Sequence, residues 1–313
     1  MDIVYVLGSG SKWSDNEIRF SLRSIEKNLS ETGRIYVVGN KPDFLTKIIH
    51  LPVPDIFDPS KNADGNMTHK LLTVCRDARL SENFLFFNDD FIVLKPIACS
   101  QIPWYHKGDM ALRPPEYWTS QFYRYRLKAT FDVLIKNQKP TLQYDYHAPM
   151  KFNKKDFIRV MSDYDYGSGI GLTFRSLYGN SMQLPAELLV HQKKTVFKYF
   201  SYSDLLKRVE NSIFLGYNDQ GLNNELKLFL SEIFPLQSKY ESDPLPERYS
   251  EILNWLESTR DFETGVNIYA RYFNNQNLLQ LFYRGETPCL RNKLEYKFNT
   301  AINDLRRKKT TGN

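Results

Sequence analysis

Apolar runs of strand length alternate with amphipathic helical patterns along the first 240 or so residues of the chain. Residues 2–7 and 34–39 are predicted strands, because each is a short, mostly apolar run. Between them, apolar residues recur at the spacing of one helical face: Ile18, Leu22, Ile25 and Leu29. Ser14 and Glu17 fit a capping box at the start of this helix. The β-α-β order predicts a parallel strand pair.

The same alternation continues downstream. A connection over residues 50–66, rich in Pro, Asp, Asn and Gly, is long enough to be a substrate loop. A second amphipathic helix follows, with its apolar face marked by Met67, Leu71, Val74 and Ala78. It leads into a predicted strand at 84–87, and a later apolar run at 213–219 precedes another helix. We therefore predict an α/β fold with a mostly parallel sheet flanked by helices.

Two segments differ from this pattern. Residues from about 103 to 140 form an insertion in which aromatic side chains are interleaved with arginine. This composition fits either an amphipathic insertion packed on the sheet or a surface that stacks sugars or bases. Residues 243–313 are polar with helically spaced apolar anchors. We therefore predict an α/β domain over residues 1–242, which contains the insertion, and a helical C-terminal extension over 243–313.

Composition limits the possible classes. The chain has 313 residues, of which 42% are hydrophobic, so a large core is expected. A formal net charge of +6 suits phosphate-bearing substrates or nucleic acid. Cys75, Cys99 and Cys289 show neither metal-ligand nor disulfide spacing, so we expect a reducing, cytoplasmic compartment. We also expect no signal peptide and no transmembrane segment.

Two adjacent carboxylates, Asp89 and Asp90, follow the predicted strand at 84–87 after Asn88. Ligands of open α/β sheets bind at the carboxyl ends of strands. Carboxylates gathered there favour Mg²⁺ or Mn²⁺ together with a phosphate-bearing substrate, because unpaired buried charge is costly. The alternative is a strand-to-strand turn in which these residues serve only the turn geometry.

Two further groups extend the ligand-binding hypothesis. Gly8, Ser9 and Gly10 follow the first strand, where they form either a loop that a ligand can approach closely or a plain tight turn. Arg19 and Arg23 share one helical face, which fits a diphosphate contact or an exposed basic face.

A histidine and a second glycine-rich stretch complete the candidates. His147 lies two residues before Pro149, in a segment biased away from helix, and a loop histidine is a candidate general base. The alternative is a structural histidine that only makes hydrogen bonds. The glycines at 167–171 do not follow a predicted strand, so they fail the context test for a dinucleotide-binding loop.

Several stretches occur in the order of a known family's conserved regions. They are residues 2–5, DNEIRFSLRSIE at 15–26, residues 34–38, FNDD at 87–90, HAP at 147–149, and the segment 217–238. Together they resemble the Stealth family of sugar-phosphate transferases, which act in microbial capsule synthesis. An animal relative of that family is the N-acetylglucosamine-1-phosphotransferase that tags lysosomal enzymes. The resemblance runs from residue 2 to about residue 242, and the 15–26 block is its most specific part.

The resemblance implies a nucleotide-sugar-transferase-like core (GT-A or Rossmann-like). It also implies metal-dependent transfer of a sugar-1-phosphate from a UDP-sugar donor to a hydroxyl on a glycan acceptor. By matching positions, Asp89 and Asp90 would serve the metal and the diphosphate, with Asp219 as a further metal or substrate carboxylate. His147 would be the base for the acceptor hydroxyl, and Arg175 would brace the transferring phosphate.

The first region departs from the family pattern. The family continues with Trp-Val-(Asp/Asn)-Gly, whereas this chain has Val-Leu-Gly-Ser-Gly at residues 6–10. Without that acidic or amide group, the exact donor and the choice between phosphoryl and glycosyl transfer stay open, and the chain as a whole keeps two alternatives. One is a glycosyltransferase that uses the same donor, releases UDP and modifies a glycan or a modified DNA base. The other is a sugar- or nucleotide-binding module without catalysis.

Overall fold

A computed structural model of the chain describes residues 1–119, 122–190, 193–196, 201–234 and 237–242. The strands are β1 (Asp2–Leu7), β2 (Leu29–Ser30), β3 (Ile35–Gly39), β4 (Ile49–Leu51), β5 (Asn83–Phe87), β6 (Phe91–Val93), β7 (Ile97–Ala98), β8 (Tyr105–His106), β9 (Met150–Asn153), β10 (Glu187–Leu188), β11 (Lys193–Val196) and β12 (Phe214–Tyr217). The α-helices are α1 (Asn16–Asn28), α2 (Pro59–Cys75), α3 (Phe122–Lys136), α4 (Lys154–Ser162), α5 (Phe174–Ser181), α6 (Tyr202–Val209) and α7 (Asn224–Ile233). The predicted helical extension at 243–313 lies outside the described residues.

The central sheet has five strands in the order β4-β3-β1-β5-β9. Every neighbouring pair is parallel except β5 and β9. The predicted parallel pair of β1 and β3 is confirmed, since Ile3 pairs with Ile35 and Leu7 with Gly39. The predicted fold class, α/β with a mostly parallel sheet flanked by helices, is therefore confirmed. The chain moves outward from β1 to β3 and β4, then returns to β5 on the other side of β1, and ligands bind at such reversals.

A smaller sheet with the order β11-β12-β6 begins where the chain leaves β5. Strand β12 runs antiparallel to β6, and Gly216 pairs with Phe91. Continuing this register by one residue brings Tyr217 opposite Asp90. The end of β12 therefore returns to the turn that carries the acidic pair.

Aromatic packing holds the central sheet against the helices. The side chains of Phe84 and Phe86 on β5 are fully buried. Phe86 and Phe174 of α5 meet edge to face at 5.5 Å between ring centroids. Burying one such ring contributes about 1.5–3 kcal/mol, so this contact fixes α5 firmly on β5. A separate cluster, in which Trp13 stacks on Phe20 at 5.2 Å, packs α1 against β12 and α7.

The start of α1 differs from the prediction. Its N-cap residue is Asp15, which has a left-handed backbone (φ 57°) and makes no side-chain cap hydrogen bond. Ser14 is also left-handed (φ 53°), so the capping box predicted from Ser14 and Glu17 is wrong. Instead, Ser11 Oγ accepts hydrogen bonds from the backbone N–H of Trp13 and Asp15 at 3.2 and 2.8 Å. This serine bends the loop before the helix and replaces the predicted cap.

Helix α2 begins earlier than the apolar pattern indicates. It starts at Pro59, after Asp58 accepts a hydrogen bond of 3.0 Å from the backbone N–H of Ser60. An aspartate cap followed by proline is a favourable helix start. The helix is kinked at the buried Asn62 (φ −135°, ψ 64°), whose Oδ1 accepts from the N–H of Gly65 at 2.8 Å. The predicted long loop at 50–66 is therefore partly helical.

The described part of the aromatic insertion packs largely on itself and on the core. Arg124 lies over the ring of Tyr117 at 4.2 Å, and Trp118 stacks on Phe131 at 5.6 Å. These contacts favour the packed-insertion alternative. None of the helices in the described part of the chain has the length and hydrophobicity that a bilayer crossing requires.

Candidate active site

A cleft of about 810 Å³ opens at the carboxyl ends of β1 and β5, where the strand order reverses. It collects six of the residues predicted from the sequence: Gly8, Gly10, Asp89, Asp90, His147 and Asp219. The glycines follow β1, the acidic pair follows β5, and Asp219 follows β12. Strand ends that are distant in the sequence therefore meet around one space.

A second cleft of about 720 Å³ lies beside the first, toward β3 and β4. Its walls include the predicted residue Ser9, as well as Lys41 and His50. The two clefts share the wall residues Leu7, Gly8, Ser11 and Asp15. The loop after β1 is thus the common wall of a groove that crosses the edge of the sheet.

The acidic pair sits on a tight turn. The backbone N–H of Phe91 donates to the carbonyl of Asn88 at 3.2 Å, and the N–H of Asp90 donates to Oδ1 of Asp89 at 3.1 Å. The turn alternative is therefore right about the geometry. The same turn also places Asp89 and Asp90 in the cleft wall, so it does not exclude the ligand hypothesis.

Glu17 joins this acidic cluster, and its role was missed because its spacing from Ser14 resembled a helix cap. Its side chain is buried, lines the cleft and accepts a 2.8 Å hydrogen bond from Ser11 Oγ. Burial raises the pKa of Asp89 to about 7, with further contributions from the charges of Asp90 and Glu17. Three carboxylates thus act on one another at the base of the cleft.

Tyr217 is a second residue that the sequence did not single out. Its hydroxyl is buried in the cleft wall, with no hydrogen-bond partner among the described residues. Burial raises its pKa well above the usual value, and the charges of Glu17, Asp90 and Asp89 act in the same direction. The antiparallel register of β12 and β6 explains this position, and that register is invisible in the local sequence.

The described residues contain no set of three His, Cys, Asp or Glu side chains arranged as a ready metal site. Asp219 instead forms a 2.8 Å ion pair with Lys12 at the rim. Asp89 and Asp90 nevertheless fit Mg²⁺ or Mn²⁺. Such ions are commonly held by one or two carboxylates while substrate phosphates complete the coordination. Burial and like-charge repulsion raise the pKa of Asp89, and a cation bound there would offset both by favouring the ionised carboxylate.

The His147 ring lies next to the acidic turn, edge-on to Phe91 at 6.3 Å between centroids. Arg175 is buried behind it. Its Nη1 donates to the carbonyl of Tyr146 at 2.7 Å, and its Nη2 donates to Oδ1 of Asn88 at 3.3 Å. Arg175 is not among the residues that line the two clefts, and these two hydrogen bonds join the segment before His147 to the turn before the acidic pair. Its predicted contact with a phosphate stays a prediction.

Arg19 and Arg23 lie elsewhere. Both are buried against Glu241: Arg19 Nη1 donates to Oε2, while Arg23 donates from Nε and Nη2 to Oε1 and Oε2 at 2.8 Å each. The alternative that Arg19 and Arg23 form an exposed basic face is therefore wrong. The structure does not bring these arginines into the walls of either cleft, where a diphosphate contact would need them.

Comparisons with known proteins add a likeness of fold. No protein-family model and no curated protein matches the chain. Two similar solved structures are of the galactosyltransferase LgtC. One, in complex with donor and acceptor sugar analogues, is 10% identical, with a TM-score of 0.44 over 76% of this chain and 98% of that chain. The other, an active-site mutant, is 11% identical, with a TM-score of 0.43 over the same shares. At these scores the likeness adds no argument about the site.

Proposed function

We propose that this protein is a metal-dependent transferase that moves a sugar-1-phosphate from a UDP-sugar to a hydroxyl on a glycan acceptor. The observation that carries the proposal is the first cleft, at the strand-order reversal. A glycine loop, an acidic pair and a histidine meet there. Phosphoryl transfer needs positioning and charge neutralisation more than covalent chemistry, and these groups suffice for it. The Stealth-like order of motifs supports the same class of reaction.

In this proposal the donor lies along the groove. The nucleoside enters the second cleft, and the diphosphate crosses the shared loop at Gly8 and Ser11 toward the acidic pair. Asp89 and Asp90 would hold a Mg²⁺ or Mn²⁺ ion, which neutralises diphosphate charge when it is bound. Glu17, behind the pair and bonded to Ser11, would keep the loop and the carboxylates in register.

The acceptor side is assigned to His147. Its imidazole takes the proton of the acceptor hydroxyl as that oxygen attacks the phosphorus that bears the sugar. The new phosphorus–oxygen bond forms while the anhydride bond to UMP breaks, and UMP leaves with the electron pair. The products are UMP and a glycan that carries the sugar through a phosphodiester. Arg175 assists indirectly, by holding the segment of Tyr146 and His147 against Asn88.

Product identity tests the proposal. The protein is incubated with Mn²⁺, a panel of UDP-sugars and glycan acceptors, and the released nucleotide is separated by chromatography. UMP together with a phosphodiester-linked product is expected. Release of UDP would overturn phosphoryl transfer and leave the glycosyltransferase alternative. A modified-DNA acceptor would then be tested by the salt dependence of DNA binding.

The non-catalytic alternative is tested with a variant. Asp90→Asn is expected to abolish turnover, with Asp156→Asn as a control because Asp156 lies on α4 outside both clefts. If neither nucleotide is released, but UDP-sugars bind equally well to the protein and to Asp90→Asn, the protein is a binding module.

A further inference from the structure

We propose that Lys12 binds the donor diphosphate and that Asp219 positions Lys12 for this contact. The inference rests on the proposed use of a UDP-linked donor. It begins from the charges around the first cleft. The described lining residues include five carboxylates: Asp15, Glu17, Asp89, Asp90 and Asp219. Among these lining residues Lys12 is the one lysine or arginine.

That imbalance matters for a diphosphate. An anion that enters a space lined by carboxylates needs cations to offset the repulsion. A divalent ion at Asp89 and Asp90 would offset part of it. Lys12 is the protein's own cation in this wall, and it lies two residues after Gly10 of the loop that follows β1. A lysine beside a glycine loop can reach phosphate oxygens as a mobile point charge.

The contact between Lys12 and Asp219 suits exchange with a ligand. Lys12 Nζ lies 2.8 Å from Asp219 Oδ2, and the two side chains are 69% and 59% exposed. Exposed ion pairs contribute little to stability, so Lys12 can turn toward a phosphate at small cost. The pair also joins the loop after β1 to the loop after β12 across the rim of the cleft. Before the donor binds, Asp219 would hold Lys12 over the cleft, and a phosphate would then take its place as the partner of Lys12.

This arrangement gives Asp219 a different role from the metal ligand that the family resemblance implies. A metal ligand would act on cation affinity independently of Lys12. A positioning residue acts only through Lys12, so its substitution should have no effect once Lys12 has been removed. The two roles therefore predict different double-mutant results.

The experiment is isothermal titration of UDP into the full chain with saturating Mn²⁺. The proteins are the parent, Lys12→Ala, Lys12→Arg, Asp219→Asn and the Lys12→Ala/Asp219→Asn double variant. Lys12→Ala is expected to weaken UDP binding about tenfold or more, and Lys12→Arg less, because a charge-assisted hydrogen bond is lost. Asp219→Asn should weaken UDP binding less than Lys12→Ala does, and the double variant should match Lys12→Ala. Lys61→Ala is the matched control, since Lys61 pairs with Asp58 on the surface, outside both clefts.

Two outcomes overturn the inference. One is unchanged UDP affinity in Lys12→Ala. The other is an Asp219→Asn variant whose loss of UDP affinity adds to that of Lys12→Ala, because Asp219 would then act independently of Lys12, as a metal ligand would. If the parent protein does not bind UDP at all, the proposed use of a UDP-linked donor is overturned, and with it the proposed function. Thermal unfolding of every variant separates loss of binding from loss of fold.

Discussion

Arg175 Nη2 donates a 3.3 Å hydrogen bond to Oδ1 of Asn88, the residue immediately before the acidic pair. The same guanidinium donates from Nη1 to the carbonyl of Tyr146, the residue immediately before His147. One buried cation on α5 thus joins the segment with the candidate base to the turn with the candidate metal ligands. The relative placement of these two groups depends on a residue outside the cleft walls.

Replacing Arg175 by lysine should therefore damage turnover more than donor binding. Lysine keeps the charge but cannot reach both acceptors as a planar fork. We expect kcat to fall about tenfold or more with little change in the KM for the donor, because geometry and not binding is lost. Arg159→Lys, at an exposed arginine on α4, serves as the control and should leave both constants unchanged. A raised KM with unchanged kcat would instead indicate the direct phosphate contact that the resemblance implies.

His147→Gln should remove the proton acceptor while leaving the donor site intact. General-base catalysis contributes about 10²–10⁴-fold, so kcat should fall within that range, while UDP affinity by titration stays near that of the parent. His69→Gln is the matched control, since His69 lies on α2 and lines neither cleft. Activity retained above a tenth of the parent value would mean that His147 is a structural histidine.

The spacing of apolar residues predicted the fold well, because most strands and helices of the sheet domain are marked by a run or a period of apolar residues within the segment itself. β1, β5 and the apolar face of α1 follow from apolar spacing alone, and burial confirms Ile18, Leu22 and Ile25. Contacts between distant parts of the chain were beyond such reasoning. Arg19 and Arg23 both bind Glu241, which lies more than 200 residues later. Helical spacing therefore showed that they share a face, but it could not show which residue this face contacts.

The candidate site divides in the same way. Asp89 and Asp90 could be predicted because a strand end and two carboxylates stand next to each other in the sequence. Glu17 could not, since the left-handed backbone at Ser14 and Asp15 turns its side chain away from the predicted cap and toward Ser11. Lys12 was missed because its partner, Asp219, follows β12, and the pairing of β12 with β6 that brings this strand end to the cleft cannot be read from local sequence.

Asp89→Asn should separate stability from activity. The folded pKa of Asp89, about 7, lies above the unfolded value of about 3.9, so the unliganded fold loses stability as pH rises between these values. At pH 8 without metal, the variant should be about 1–2 kcal/mol more stable than the parent, with activity lost. Chemical denaturation with EDTA at pH 4 and pH 8 measures this, and the difference should nearly vanish at pH 4. A less stable variant at pH 8 would contradict the destabilising burial and charge repulsion assigned to ionised Asp89.

Glu241→Gln tests the buried ion triad. Burial opposes ionisation of Glu241, but Arg23 and Arg19 outweigh it, so its folded pKa is lowered. This stability is present above the unfolded pKa of about 4.3 and is lost as pH falls through the folded pKa. At pH 7 we expect a loss of about 3–5 kcal/mol, because two arginines remain buried without their carboxylate. The loss should shrink below about pH 4.

Glu82→Gln is the control for the triad, since Glu82 is partly exposed and lies 3.6 Å from Lys155. It should change stability by no more than about 0.5 kcal/mol at either pH. An equal loss for Glu241→Gln at pH 7 and at pH 3.5 would show that packing, and not charge, holds residues 237–242 on α1.

Gly8 and Gly39 provide a matched pair of glycines for testing the loop after β1. A Cβ on Gly8 would meet no atom within 4 Å, whereas one on Gly39 (φ +104°) would lie 2.2 Å from the carbonyl oxygen of Leu7. Gly39→Ala should therefore cost about 1–3 kcal/mol or more in unfolding free energy, and Gly8→Ala no more than about 0.5 kcal/mol. A Cβ on Gly8 therefore meets no steric obstacle in the fold, whereas a ligand lying against the backbone there, as in the proposed function, would require glycine.

Gly8→Ala should accordingly weaken UDP binding in Mn²⁺, by about tenfold, in a protein that unfolds like the parent. Titration calorimetry and thermal unfolding of the same preparations give both quantities. Unchanged UDP affinity would show that the diphosphate does not pass close to this loop, whatever the activity. A stability loss as large as that of Gly39→Ala would mean that the fold itself needs glycine at position 8. The two explanations differ because a packing role predicts lower stability, whereas ligand approach predicts weaker UDP binding with unchanged stability.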